Sequence, residues 1–362
     1  MAYAAGLPLR GHNAPAAKRL FIMSKHEVGS EPGAAPGPGP FNRRQGMAGL
    51  FAWAWPTGAA LAAEASTGPA PLAYITNQGS DSVSVLDIQR QAVVATIAVG
   101  KQPAGIAVSR AAGRAFVTNP GDHTVSVIDL ARRAAIRTMP AGQGAVGIAA
   151  APDGRRFYVA DWYGGQVLAF NAATLLQTAQ QAVGKVPAGL GASPDGRRLY
   201  VANRDDNNVQ ELDAATLAPL RRFAVGEHPF AVEVSPDGRH LLALNVMSDD
   251  VDVIDLAGGT RVARIAVGHA PYGVAFAADG RRAFVTNQRS QSVSVIDLTT
   301  FQVAATWKVG EYPEGIACLG DRLLVVSWME DAVSVLDAAG GKLLATIDVG
   351  RNPRGFGQMV AR

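Results

Sequence analysis

From residue 72 onward the apolar positions fall in short runs of about five residues, and no run keeps the three-to-four spacing of a helix. One such run, Val-Ser-Val followed by Ile or Leu and then Asp, stands at 83–87, 125–129, 293–297 and 333–337, and degenerate copies end at Asn171, Asp213 and Asp255. The closing positions of these runs are 42 residues apart five times and then 40 apart. Glycines keep the same beat, at Gly100, Gly142, Gly184, Gly226, Gly268, Gly310 and Gly350. Two motifs in phase seven times over identify an internal repeat. Each repeat reads as four strands. In the one that begins at Gly226, residues 230–235 form a first strand, and Pro236-Asp237-Gly238 a turn in which proline presets φ and glycine takes a positive one. Residues 241–245, 251–255 and 262–267 follow as second, third and fourth strands, rich in β-branched side chains and separated by turn signals. Four short antiparallel strands in about 40 residues make one blade of a β-propeller, so the expected fold is all-β.

The phase of the two ends sets the blade number. The repetitive body begins at 72–77, which aligns with a second strand, and supplies three strands before Gly100. It ends at 354–360, which aligns with a first strand. Six complete blades between Gly100 and Gly350 plus this split one give a seven-bladed β-propeller, a single domain over 71–360. The C-terminal strand is expected to pair with the three N-terminal strands, closing the ring without a long open edge.

The motifs also carry a family resemblance. Tyr74-Ile-Thr-Asn77, Phe116-Val-Thr-Asn119, Tyr200-Val-Ala-Asn203 and Phe284-Val-Thr-Asn287, flanked by Ser-Pro-Asp-Gly and Val-Gly-x-x-Pro, resemble the YVTN-repeat propellers, including YncE-like bacterial proteins. The resemblance implies the fold. It implies no single activity, because repeats of this kind are scaffolds on which unrelated sites are built.

Composition adds a large core and a separate leader. Hydrophobic residues make up 48% of the 362 and charged ones 17%. The net charge of +3 resides in residues 1–65, where six Lys and Arg face three Glu; the remainder carries 27 basic and 27 acidic residues. A neutral body gives no bulk electrostatic case for nucleic acid, which needs clustered positive charge. Within 1–65, a disordered low-complexity stretch at 28–40 precedes Asn42-Arg43-Arg44 and an apolar run at 47–63, the parts of a secretory signal peptide with its h-region at 47–63. Cleavage is expected after Ala62 or Ala65. The run is short and broken by Pro56, so no stable membrane span is expected once it is cleaved, and the protein is placed in the periplasm or secreted, as a monomer. The one cysteine, Cys318, excludes an intramolecular disulfide, and there is no Cys-x-x-Cys-His haem site or zinc spacing; no cofactor and no haem are expected. Cys318 itself reads as a small buried apolar residue of a strand.

Candidate chemistry lies in the exceptions to the repeat. The position after each repeat's proline, whose place Ala145 takes in the second repeat, faces the channel mouth and reads Ala104, Val146, Ala188, Phe230, Tyr272, Glu314 and Arg354 around the ring. Three small apolar residues are followed by two aromatics, an acid and a base, an asymmetry that folding does not require. Three residues further on, the axial strands carry Ala107, Ala149, Gly191, Glu233, Ala275, Ala317 and Gly357, where Glu233 alone breaks a run of small side chains and Arg354 is a candidate partner for it. Where five blades have Asn after the second strand, Asp161 and Trp328 stand instead; Trp162, Tyr163, His228, His269, Tyr312 and Met329 lie in adjacent turns. An aromatic rim suits a protein partner or a small molecule. The two histidines lie on different blades without ligand spacing, so no metal site is read. The opposite face carries Arg155-Arg156, Arg197-Arg198, Arg239-His240 and Arg281-Arg282, each pair beside an Asp of its own turn, which points to local neutralisation.

Three functions remain open. No Gly-x-Ser-x-Gly or paired-carboxylate motif is present, which favours a binding platform for a protein or small ligand. A lactonase-like hydrolase or lyase would use Glu233, Glu314 and Arg354, with His228 or His269, at the channel mouth. An accessory protein of a periplasmic redox system would act only as a partner, since the chain ligates no redox centre of its own.

Overall fold

The computed structural model describes residues 71–360, and the extension and signal segment read over 1–65 lie outside the described residues. Three N-terminal strands, β1 (Leu72–Asn77), β2 (Ser82–Asp87) and β3 (Ala92–Ala98), form one antiparallel sheet. Six four-stranded blades follow: β4–β7 over 105–140, β8–β11 over 145–182, β12–β15 over 187–224, β16–β19 over 229–266, β20–β23 over 271–308 and β24–β27 over 313–348. A short last strand, β28 (Phe356–Gln358), completes the ring of seven blades. Among the described residues no helix is long and apolar enough to cross a membrane.

The repeat motifs have clear physical roles in this ring. Hydrophobic clusters lie between neighbouring blades rather than within one; Ile75 and Val85 of the first blade share a core with Leu324 and Val326 of the last and with Ile106 and Val108 of the next. Second and third strands are buried almost throughout, whereas fourth strands such as Ala134–Pro140 face solvent along most of their length. The Asn that ends a second strand is buried and donates to the hydroxyls of the third, from Asn77 to Ser82 and Ser84 (3.1 and 2.9 Å) and from Asn287 to Ser292 and Ser294 at the same distances. That bonding explains why the third strand alternates Ser with Val although both of its faces are covered.

The preceding Thr ties one blade to the next. Thr286 Oγ1 accepts the Gly273 N–H of its own blade (2.9 Å) and donates to the Glu314 carbonyl of the next (2.8 Å). Thr118 does the same with Gly105 and Val146, at 2.8 and 2.7 Å. At Gly273 a Cβ would stand 2.4 Å from that Glu314 oxygen, so these two inner strands approach this closely only because a side chain is absent there. Thr286→Val keeps the shape and removes the hydroxyl, leaving a buried N–H and a buried carbonyl short of a partner. It is expected to lower stability by about 2 kcal/mol, read by urea unfolding.

Closure follows the phase of the repeat but not its register. The C-terminal segment runs antiparallel to β1, with bridges Pro353 to Asn77 and Val360 to Ala73. Backbone N–H groups of Arg354 and Tyr74 donate to Thr76 and Met359 carbonyls, both at 2.8 Å, and Thr76 Oγ1 accepts Gly355 N–H at 3.0 Å. In a regular blade the fifth residue after the proline opposes the fourth before the Asn, as Val234 opposes Leu241. In the closing blade that partner is the seventh, Val360, so two extra residues bulge inward. The expectation of an ordinary first strand over 354–360, with Gly357 at the axial position of Glu233, is corrected here. Gly355 and Gly357 take φ of +59° and +101°, and this left-handed backbone lets the bulge pair in parallel with β4 (Gly105–Ser109) of the following blade.

Candidate functional site

The inward bulge changes what fills the channel. It carries the Phe356 ring to the axis, 4.9 Å from the Phe230 ring and 5.9 Å from that of Tyr272. Phe230 and Tyr272 stack at 4.4 Å, and Trp162 meets Phe230 edge-on at 6.1 Å. The four rings form one aromatic cluster at the mouth end of the first strands. Phe356 could not be singled out from the sequence, because in the register of the repeat it falls at an aliphatic core position. Met359, fully buried against the first blade's cluster, supplies that apolar packing instead.

Beside the rings sits a buried polar group. Arg354 Nη1 donates to the Tyr272 hydroxyl at 2.9 Å and lies 3.6 Å from Glu314 Oε2. Gln288 Nε2 donates to Glu314 Oε1 at 2.8 Å. Gln288 was not flagged by sequence; it lies one position after the blade's Asn, and Trp328 stands in the same relation to Arg354 as Gln288 does to Glu314. Burial raises the Glu314 carboxyl above its ordinary range, against the opposing effects of Arg354 and Gln288. Burial likewise raises the Tyr272 hydroxyl. Glu314 Oε2, Arg354 Nε and Trp328 Nε1 have no hydrogen-bond partner among the described residues.

The rim expected around the mouth is partly a structural feature. Trp328 does not replace an Asn. The turn between the first and second strands of this blade is two residues shorter than in its neighbours, and Ser327 takes the Asn place, paired with Pro313 and Ala332. Trp328 is one step beyond, buried, with its ring 5.8 Å from Tyr312. Asp161 does take the Asn place, where it accepts the Gln143, Gly144 and Gly164 N–H groups (2.8–3.1 Å) and the Gln166 amide. Its carboxylate organises the loops. Tyr163, 54% exposed, and Trp162, with the Arg204 guanidinium 5.7 Å from its ring centre, give the mouth face its accessible aromatic edge. His269 is exposed and bonded through Nδ1 to Asp249 at 2.7 Å, while half-buried His228 donates its backbone N–H to Asn207 at 2.9 Å. Among the described residues no three His, Cys, Asp or Glu side chains are placed to share a metal.

Glu233 belongs to a different compartment. It lines a cavity of about 460 Å³ that runs along the axis to the face of the Pro-Asp-Gly turns, reaching Pro152, Pro194 and Pro236. Phe356 also lines it, and Tyr272, Glu314 and Arg354 do not. The single site expected from Glu233, Glu314 and Arg354 is therefore corrected: Arg354 engages Tyr272 and Glu314, outside the cavity that Glu233 lines. Cys318 is half-buried and lines the same cavity, rather than being enclosed in a strand core.

On that far face, Asp153 and Asp195 accept the backbone N–H of Arg155 and Arg197, whose guanidinium groups stay 4.0 Å from the carboxylates. Two of the second arginines reach the next blade, Arg282 Nη1 donating to the Ala338 carbonyl at 2.9 Å and Arg156 Nη1 to that of Ala214 at 3.4 Å, whereas Arg198 lies against Glu211 and Asp213 of its own blade. Arg156 and Arg282 brace the ring.

Among solved structures, the fold is shared with the Kuenenia stuttgartiensis hydrazine synthase, at a TM-score of 0.68 and 21% identity over 74% of this chain and 92% of that one. A functionally unknown protein from Desulfotomaculum acetoxidans DSM 771 matches at a TM-score of 0.68 and 13% identity, over 79% of this chain and 99% of that one. Dihydro-heme d1 dehydrogenase NirN in complex with DHE matches at 0.60 and 21%, over 78% of this chain and 64% of that one. At these identities the likeness speaks for the fold alone. No curated protein sequence matches. Residues 182–279 match the model of the YNCE-like β-propeller, so the chain carries the repeat of the family that its YVTN-type motifs resemble.

Proposed function

We propose that the protein is an exported binding module, with the channel-mouth face of the propeller as the surface that holds a protein partner or a small ligand. One observation carries this reading. The aromatic and charged departures from the repeat gather on one face, in Trp162, Tyr163, Arg204, Phe230, Tyr272, Glu314 and Arg354, whereas the ring itself asks only for small residues at the post-proline position. Exposed Tyr163 and the Arg204–Trp162 pair provide the aromatic and cationic contacts that dominate many interfaces. Export rests on the basic, apolar and small-residue order of 42–66.

Glu314 and Arg354 do not line the cavity that Glu233 lines, which favours a binding surface over a hydrolase or lyase that uses both acids at the mouth. An accessory role beside a redox enzyme is a second reading, motivated by the hydrazine synthase and the dihydro-heme d1 dehydrogenase NirN that share the fold.

Crosslinking and co-purification from the periplasmic fraction, followed by mass spectrometry, test the proposal. Wild-type protein is expected to enrich a defined partner or small molecule that the Tyr163→Ala/Arg204→Ala variant loses at unchanged melting temperature. Identical profiles for the two proteins, or retention of the mature protein in the cytoplasm, would overturn it. A redox enzyme among the lost partners would select the accessory role.

A further inference from the structure

One blade presents a bare, basic outer edge on the perimeter of the ring, independent of the docking face proposed at the mouth. We propose that its last strand, β7 (Ala134–Pro140), docks an extended acidic segment of a partner protein, which adds to it as a further strand. Among the described residues β7 ends its sheet and pairs with β6 (Thr124–Asp129). Its outer edge therefore keeps free main-chain donors and acceptors over seven residues, a length of about 23 Å. Residues 131–138 are exposed without a break, Ile136 among them at 40%.

The charge on this edge is not answered from within the fold. Arg132, Arg133 and Arg137 are exposed, and among the described residues their guanidinium groups make no ion pair or hydrogen bond. The carboxylate of their own turn, Asp129, accepts the Arg132 backbone N–H at 2.8 Å. Fourth-strand arginines elsewhere meet an acid on the third strand. Glu211 stands opposite Arg221 and accepts its Nη2 at 3.1 Å, and Asp252 stands opposite Arg264 and accepts its Nε at 2.9 Å. Arg137 stands opposite Val127. The repeat over 101–142 carries six Lys and Arg against two Asp, in a body with 27 of each sign. The outer strands of the flanking blades, β3 (Ala92–Ala98) and β11 (Gln177–Ala182), carry no charged residue and so do not neutralise it.

Positive charge on a bare edge turns away other copies of the same edge. It attracts a strand that bears carboxylates, whose oxygens accept guanidinium hydrogen bonds while its main chain extends the ladder and its apolar side chains cover Ile136. A nucleic acid would engage the arginines through phosphate and leave the strand edge and Ile136 bare, so a protein segment is the better fit.

Fluorescence anisotropy with a labelled peptide of three Glu-Val repeats tests the assignment. The comparison probes are the matching Lys-Val peptide, a copy of the acidic peptide N-methylated throughout, which keeps its charge but loses its main-chain donors, and a DNA duplex. The acidic peptide is expected to bind at least tenfold more tightly than each of the three. The triple variant Arg132→Ser/Arg133→Ser/Arg137→Ser is expected to weaken the acidic peptide at least tenfold at an unchanged thermal melt, because these side chains have no ion pair to lose. The proposal is overturned if the acidic peptide does not bind, if the lysine peptide, the N-methylated copy or the duplex binds as well, or if the triple variant keeps the wild-type affinity.

Discussion

Removing residues 352–362 is expected to abolish the cooperative thermal transition of the propeller. Phe356, Met359 and Val360 are 7%, 0% and 6% exposed, and burying three such side chains contributes about 5–8 kcal/mol. The segment also supplies the acceptors for the Tyr74 and Gln78 N–H groups and the donors to Thr76, so its loss strands the inner edge of β1 and one edge of β4 together. Against a total stability on the order of 5–15 kcal/mol, that loss leaves little margin. An open ring further exposes two unpaired strand edges to other chains. Scanning calorimetry should show a broad or absent transition accompanied by aggregation; an unchanged, reversible melt would refute the account of closure. Met359→Ala isolates the packing contribution and should lower stability by about 2–5 kcal/mol while leaving the melt cooperative.

The second large effect concerns the buried ion pair at the mouth, and it is asymmetric. Arg354→Ala leaves the Glu314 carboxylate buried with only the Gln288 amide as a partner, and should cost about 3–5 kcal/mol at neutral pH. Glu314→Gln should cost much less, because Arg354 keeps the Tyr272 hydroxyl as an acceptor and a neutral amide is cheap to bury beside it. The pH dependence has a definite sign. An acid whose folded pKa is raised binds its proton more tightly in the folded state, so its contribution is fully present below the ordinary value near 4.5 and is lost as pH rises through the folded value. Relative to Glu314→Gln, the wild type should therefore lose stability as pH rises above the ordinary value near 4.5 in urea titrations. The deficit of Arg354→Ala should shrink toward acid pH, where Glu314 takes up its proton. A pH-independent difference between wild type and Glu314→Gln would show that burial does not govern the carboxyl.

Much of the fold was legible along the chain because a propeller repeats one local solution. The Pro-Asp-Gly turns, the alternating Val-Ser-Val strand and the Thr-Asn pair each satisfy a requirement within a blade or between neighbours, and a 42-residue period exposes them. The split blade followed from phase alone. The sequence also marked Phe230, Tyr272, Glu314 and Arg354 as a neighbouring set, because the ring places one post-proline residue beside the next.

What lay beyond the sequence depended on small offsets. A two-residue contraction of one turn moved Trp328 out of the Asn position, and a two-residue expansion of the closing strand carried Phe356 from the inter-blade core to the axis. Such shifts leave no trace in the apolar pattern, since Ser327 and Met359 satisfy the vacated places. They decide which rings gather at the mouth and which residues line the axial cavity with Glu233. The seven-bladed closed ring was thus determined by the sequence through local repetition. The division of its channel into a buried polar mouth and an axial cavity was decided only in three dimensions, where strands from all seven blades compete for the same narrow space.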